Sequence, residues 1–488
     1  MSVTDRIVRG FKATLAARVV DALANGLLMV LLARVLLSPS EYGQLFFVLA
    51  VVGVAQLVAD LGLSRSAARY VAERKETDPG SVPFVVRSSL RYKLLLIIVV
   101  AGGLVLGADV VASLLGTPAV AGVLGLGACY LAVQSLAAYA EILFQGFNRL
   151  ELSAVVKLTN NLSRLVAVVI LTGLGFGVAG ALLGYVAGAF LGAAVGLGYL
   201  FGRLYRSFED TGGSRALRNS ILAYSVPLTA SHSANVLDKR IDTVLVGALL
   251  NPLAVSYYVL SKQITEFVLV PAGSLGFSVS PTYGEQKAND ALDHAARIYE
   301  STVEVVLLLY VPAAVGLIVI AEPAVRMVFG SAYLGAVPVL QVLGIYVVFQ
   351  AITSVTTNGL DYLGRAKHRA IAKGTTSIAN VLLNVVLIPI YGVVGAAAAT
   401  VVTFGAYTAV SVYVMHRELS LDFARLGRRL VLVGGISVGM GLAVVSMRPF
   451  ISTVIGLVGV VGLGVCVWMA LAVASGLMDV QETIGLLR

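Results

Sequence analysis

Apolar residues run through this chain in blocks long enough to cross a bilayer, about 20 residues each, separated by short turns that carry most of the charge. Fourteen such blocks can be drawn: 12–37, 43–63, 93–115, 118–142, 152–173, 176–201, 219–250, 253–279, 299–320, 336–359, 370–390, 393–415, 429–447 and 451–476. Inside them the polar positions recur with a helical period rather than alternating. The predicted elements are therefore membrane-spanning α-helices and not the strands of a barrel. Some blocks meet at tight turns, as at 173–177 and 391–392.

Short patterns recur about half a chain apart. Phe176-Gly177-Val178-Ala179-Gly180-Ala181 returns as Tyr391-Gly392-Val393-Val394-Gly395-Ala396, 215 residues later. Leu36-Leu37-Ser38-Pro39 returns as Leu249-Leu250-Asn251-Pro252, and Ala154-Val155-Val156-Lys157 as Ala370-Ile371-Ala372-Lys373, at offsets of 213 and 216. A common spacing at three places points to two homologous halves, and paired halves in a membrane protein point to a transporter with its path between them.

Composition excludes the soluble classes: 58% of residues are hydrophobic and 12% charged. Charge then sets the topology. With the N-terminus in the cytoplasm, 27 of the 35 basic residues fall in cytoplasmic segments and two, Arg326 and Arg448, in outer loops. That asymmetry follows the positive-inside rule, places both termini in the cytoplasm and accounts for the net charge of +9 without a nucleic-acid partner. The basic start and first apolar stretch, interrupted by Arg18 and Asp21, read as a retained span rather than a signal peptide.

No Walker A sequence, Gly-x-Ser-x-Gly elbow, paired-His or Cys-x-x-Cys pattern is present, so no enzyme class, cofactor or metal is indicated. Cys129 and Cys466 lie in apolar spans and read as small packing residues. Segment 202–218, with Glu209-Asp210-Thr211-Gly212-Gly213-Ser214 inside basic flanks, reads as a flexible cytoplasmic linker between the halves.

Function turns on the charges inside spans, each costing roughly 2.5–3.5 kcal/mol to insert unless it meets a partner or a wet cavity. The basic ones are Arg18, Arg34, Arg164, Lys239, Arg240 and Lys262. The acidic ones are Asp21, Asp109, Glu141, Asp238, Asp242, Glu266 and Glu304. Arg18 with Asp21, Lys239 with Asp242, and Lys262 with Glu266 have the spacing of pairs within one helix, which either lock helices together or line a cavity. Arg34, Asp109 and Lys157 lie near span ends and reach the interface. Arg164 is deep, beside Asn160, Asn161 and Ser163, with no acid within one turn; it calls for an acid from another helix or an anionic ligand. The seventh span, Ser225 to Asp242 with Pro227 near its start, is too polar to face lipid all round. His232 within it reads as a hydrogen-bonded packing residue.

Several stretches resemble one family. Ile388-Pro389-Ile390-Tyr391-Gly392-Val393-Val394-Gly395-Ala396-Ala397-Ala398-Ala399-Thr400, preceded by Asn380 and Asn384, is similar to a recurring segment of polysaccharide and O-antigen flippases. Asp238-Lys239-Arg240-Ile241-Asp242 with Val246-Gly247, Tyr257-Tyr258 with Lys262, Arg34 to Gly43, and Asp60-Leu61-Gly62-Leu63 fit the same family. Its superfamily also holds multidrug-and-toxin extruders and lipid II flippases. The resemblance implies an all-α polytopic membrane protein of about 14 transmembrane helices. Two six-helix bundles, related as parallel repeats, would face each other across a central cavity, with two further helices at the C-terminus. The corresponding segments are 1–201 for the first bundle, 202–218 for the linker, 219–415 for the second bundle and 416–488 for the last two helices.

The implied activity is alternating-access movement of a polyisoprenyl-(di)phosphate-linked sugar or oligosaccharide from the inner to the outer leaflet of the cell membrane. The expected chain is a monomer working in membrane lipid beside glycan-assembly enzymes. Arg18, Arg164, Lys239, Arg240 and Lys262 are suited to the anionic head. Asp21, Asp238, Asp242 and Glu266 could serve ion coupling or line the cavity. The six basic and seven acidic residues named above leave the cavity without a plain sign. Two rivals stay open: a cation-coupled multidrug extruder using those carboxylates, and a non-transporting membrane enzyme or assembly scaffold.

Overall fold

The computed structural model describes residues 24–114 and 120–477, and among these every regular element is helical. Ten helical stretches are long and apolar enough to cross a membrane. The chain folds as two compact units, divided between Ser256 and Tyr257.

The first unit holds α1 (Ala24–Leu36), α2 (Pro39–Asp60), α3 (Leu63–Thr77), α4 (Val82–Leu106), α5 (Ala108–Leu114), α6 (Ala121–Gly146), α7 (Leu150–Leu171), α8 (Gly177–Tyr199) and α9 (Arg215–Leu249). The start of α2 is built by its sequence: Ser38 Oγ accepts the Glu41 N–H, the Glu41 carboxylate accepts the Ser38 N–H at 2.9 Å, and Pro39 follows at the first helical position. Leu61 and Gly62 then take left-handed backbone (φ 40° and 70°), which stops α2 and redirects the chain into amphipathic α3. Helix α4 begins at Val82, so the third span starts well before the apolar block at 93–115 and carries Arg87, Arg91 and Lys93 within it.

Helices α7 and α8 pack through a stripe of glycines at every fourth position of α8: Gly180, Gly184, Gly188, Gly192 and Gly196. A methyl on Gly188 would stand 2.6 Å from Arg164 Cβ, and one on Gly196 would stand 2.7 Å from Ala140 Cβ. Without side chains on this face the backbones approach closely, the main source of helix association in a solvent as apolar as Leu itself. At one end of the unit, Val71, Val85, Val86, Tyr139, Leu143, Phe144 and Ile221 form a buried cluster from α3, α4, α6 and α9. The Tyr139 hydroxyl in it donates to the Val86 carbonyl at 3.0 Å.

Segment 202–218 is held down rather than free. Asp210 accepts Arg87 at 2.9 Å, the Thr211 N–H donates to the Gly80 carbonyl at 3.1 Å, and Phe208 packs 6.0 Å from Phe147. Ser214 caps α9, accepting the Leu217 N–H at 3.0 Å. A charge, a backbone bond and an aromatic contact outweigh the flexibility that Gly212-Gly213 would otherwise confer.

The division between units runs through α10 (Pro252–Val268). The second unit continues with α11 (Val270–Ala288), α12 (Leu292–Val328), α13 (Val337–Tyr362), α14 (Ala366–Tyr391), α15 (Val393–Leu419), α16 (Phe423–Ser446) and α17 (Val454–Ala474). Buried hydroxyl pairs tie its centre: Tyr299 with Thr356 and Thr353 with Thr408, both at 2.8 Å. A charged clasp joins α12 to α16. Glu304 accepts Arg425 at 2.7 Å and lies 3.4 Å from Arg429, while Glu300 accepts the Asp422 N–H at 2.8 Å. Cys129 and Cys466 are free and lie on exposed faces of α6 and α17, not in the packed interior expected of them.

Local geometry recurs at the echoed sequences. Gly177 (φ 52°, ψ −134°) and Gly392 (φ 60°, ψ −144°) share a backbone conformation open only to glycine, each at the start of a helix. Asn251 repeats the Ser38 cap, accepting the Ala254 N–H at 2.9 Å ahead of Pro252.

Candidate functional site

A cavity of about 270 Å³ with several polar side chains in its wall lies in the first unit, bounded by α2, α4, α6 and α9. Helix α2 contributes Gly53, Gln56, Leu57 and Asp60, which the helical period places on one face. Helix α6 contributes Gln134, Ser135, Ala138 and Ile142; α9 contributes Thr229, Ser233, Val236, Lys239 and Arg240; α4 contributes Lys93. The polarity of the seventh span thus has a physical reason, because one of its faces borders a cavity. Gly53 leaves room for Arg240: a methyl there would stand 3.3 Å from Arg240 Nε.

The charge of this wall is decided by the fold. Its described lining holds three cations, Lys93, Lys239 and Arg240, and one carboxylate, Asp60. An even count of acids and bases along the spans therefore does not carry over to the cavity. Lys93 is only 1% exposed and is ion-paired with Asp60. Its ammonium also donates to Ser64 Oγ at 3.1 Å, and Ser64 Oγ in turn donates to Asp60 at 2.5 Å. A buried ammonium left without such partners is strongly disfavoured, so Asp60 and Ser64 stabilise Lys93 where it lies. Sequence pattern leaves Lys93 at a cytoplasmic edge and names Asp60 only within the family-like Asp60-Leu61-Gly62-Leu63, with no site role. The available signal is the 53, 56, 60 spacing of small and polar residues in an otherwise apolar helix.

The four clustered charges of α9 separate by position. Lys239 and Arg240 are exposed and line the cavity, whereas Asp242 is 1% exposed and Asp238 half-buried, and neither carboxylate is in the lining. Arg164 is placed beside the cavity rather than in its wall. Its Nη2 donates to Asn25 Oδ1 at 2.7 Å, its guanidinium lies 5.1 Å from the Tyr185 ring, and its buried Nε has no acceptor among the described residues. One turn away, Asn160 donates to Gln134 Oε1 at 3.0 Å, linking α7 to the cavity wall. Lys262 and Glu266 belong to the second unit, where Lys262 Nζ lies 5.5 Å from the Tyr258 ring and Glu266 is exposed. Arg18 and Asp21, and the side chain of His232, fall outside the described residues.

Three cationic side chains around one small cavity are chemically suited to a phosphate or diphosphate. Arg240 can present a planar fork to two oxygens, and the lysines act as point charges. The volume, just under the usual 300–1,000 Å³ of a small-molecule site, suits a charged head rather than an oligosaccharide. Among the described residues no group of three His, Cys, Asp or Glu could hold a metal ion.

Comparison with known proteins agrees with this architecture. The family model described as "Polysaccharide biosynthesis protein" matches residues 7–285, and the MatE model matches residues 227–386. The chain is 22% identical over 392 residues to the "Probable low-salt glycan biosynthesis flippase Agl15" of Haloferax volcanii, covering 79% of each chain. Its fold is similar to "Lipid II flippase MurJ, inward closed conformation", with TM-score 0.76 and 16% identity over 94% of this chain and 97% of that one. It is also similar to the inward-facing conformation of a multidrug resistance MATE family transporter of the MOP superfamily. There the TM-score is 0.67, with 17% identity over 84% of this chain and 96% of that one. Ten membrane-length apolar helices and a family model matching more than half of the sequence lead to one conclusion: this multi-pass membrane protein belongs to the polysaccharide biosynthesis protein family.

Proposed function

We propose that the chain is a flippase that moves a polyisoprenyl-phosphate- or diphosphate-linked sugar from the cytoplasmic to the outer leaflet by alternating access, without enzymatic chemistry. The observation that carries the reading is that, among the described residues, the cavity wall sets Lys93, Lys239 and Arg240 against one carboxylate, Asp60. Such a cargo has an anionic head, which needs a wet cationic route, and an apolar tail, which can remain in lipid. A cytoplasm-negative potential adds about 2.3 kcal/mol per charge per 100 mV in the outward direction. The family match and the glycan-flippase name of the Haloferax relative support it.

The same reading takes the chain as fourteen spans. The bend at Gly175–Gly177 divides the 150–207 stretch into two, and α1, the polar α9 and the α10–α11 pair supply the remainder. The shared glycine conformation at Gly177 and Gly392, and the matching caps at Ser38 and Asn251, support two repeated halves.

Reconstituted vesicles carrying a fluorescent polyprenyl-diphosphate sugar test the activity. Wild-type protein is expected to expose the label to an external quencher, and the Lys239→Ala/Arg240→Ala variant to do so at least about tenfold more slowly, the worth of one charge-assisted hydrogen bond. Equal rates in protein-free vesicles and in both proteins would remove the proposal. The MatE match over 227–386 favours a second reading, cation-coupled drug extrusion using Asp238, Asp242 and Glu266. Extrusion of organic cations that is lost in Asp242→Asn and kept in the Lys239→Ala/Arg240→Ala variant would establish it instead.

A further inference from the structure

The one carboxylate in the described cavity wall sits on the most deeply buried of its cations. Lys93 is 1% exposed, while Asp60, ion-paired with it, is 27% exposed and borders the cavity. Lys239 and Arg240 are exposed on the same cavity. The two α9 cations are thus more accessible from the cavity than Lys93, which lies behind Asp60. Asp60 is also the last residue of α2, followed by the left-handed Leu61 and Gly62. A carboxylate moves between side-chain rotamers without breaking the backbone hydrogen bonds of its helix.

We infer that Asp60 is a displaceable counter-ion. A phosphate held by Lys239 and Arg240 takes its place on Lys93, and Asp60 returns to Lys93 when the phosphate leaves. This rests on the cavity being a phosphate site, as proposed above. Two anions crowded on one ammonium repel each other, and a buried ammonium with no anion is strongly disfavoured. Lys93 is thus neutralised in turn by one partner or the other. The exchange holds affinity below what the three cations would supply without a competing carboxylate, which lets a transporter release its cargo.

The test is a double-mutant cycle on the full chain in lipid nanodiscs, with farnesyl diphosphate as probe and inorganic diphosphate as its headgroup-only counterpart. Asp60→Asn is expected to tighten farnesyl diphosphate binding about tenfold when Lys93 is present. In a Lys93→Met background the same change should leave affinity within about twofold. Equal tightening in both backgrounds would make Asp60 a diffuse negative charge, and no tightening in either would make the pair a structural tie; each overturns the exchange. Should Asp60→Asn fail to accumulate, difference infrared spectra of carbon-13 aspartate-labelled wild type and of the charge-free Asp60→Asn/Lys93→Met variant decide it. The probe is expected to shift a carboxylate band in the wild type alone, and identical difference spectra overturn the exchange. Tightening seen for both probes supports exchange with any diphosphate, and tightening for farnesyl diphosphate alone supports exchange with a lipid headgroup. Failure of the underlying reading looks different: neither probe binds the wild type, and the exchange falls with it.

Discussion

Gly188 and Arg164 are fitted to each other: a methyl on Gly188 would stand 2.6 Å from Arg164 Cβ. The stem of the deepest cation in α7 therefore passes over α8 where α8 has no side chain. From there its guanidinium reaches Asn25 and the Tyr185 face. Packing and charge placement are one design at this point.

Gly188→Ala is accordingly expected to cost about 1–3 kcal/mol, the range for overpacking a tight contact. Gly198→Ala, where an added methyl meets nothing within 4 Å, is expected to be neutral or slightly stabilising. Thermal unfolding of both variants in detergent measures this, and an equal effect of the two would show that the stripe is not a packing surface.

Arg164→Ala is expected to leave the protein in the membrane and to lower glycan export by about tenfold or more. Arg164→Lys should restore only part of the loss, because an ammonium lacks the planar fork. Among the described residues its partners are an amide oxygen and an aromatic ring, neither of which carries a negative charge. Full export by the Ala variant would reduce Arg164 to a packing residue.

The charges of α9 should separate when substituted singly by Ala. Lys239 and Arg240, exposed on the cavity, are expected to lower transport at normal protein abundance. Asp242 is 1% exposed, and its loss is expected to lower abundance first, since breaking a buried charged contact costs about 3–5 kcal/mol. Membrane abundance and glycan export measured separately decide it; four equal losses of abundance would make the cluster a structural clasp.

A cysteine at position 210, in a chain whose Cys129 and Cys466 are replaced, should resist an impermeant thiol reagent in sealed cells and react after permeabilisation. The substitution itself removes the Asp210–Arg87 ion pair, so the segment should label readily once the reagent has access. Labelling in sealed cells would invert the topology.

By itself the sequence determined the class, the helical and membrane-spanning character, and the family. These follow from composition, a 3.6-residue period and motifs, all local in the chain. It also marked, through a repeated motif, two of the positions whose backbone calls for glycine, Gly177 and Gly392, and the odd polarity of α9. What it left open were facts about faces. Whether Asp242 or Lys239 borders the cavity depends on the rotation of α9 against α2 and α6, which side-chain packing sets. Lys93 became a cavity cation only because α4 starts at Val82 and brings it to Asp60, a residue 33 positions away. Asp210 became fixed only because Arg87 is within reach. In a chain this apolar, charges along the sequence say which residues need partners; only the tertiary fold, by bringing distant helices within a few ångströms, decides which partners they get.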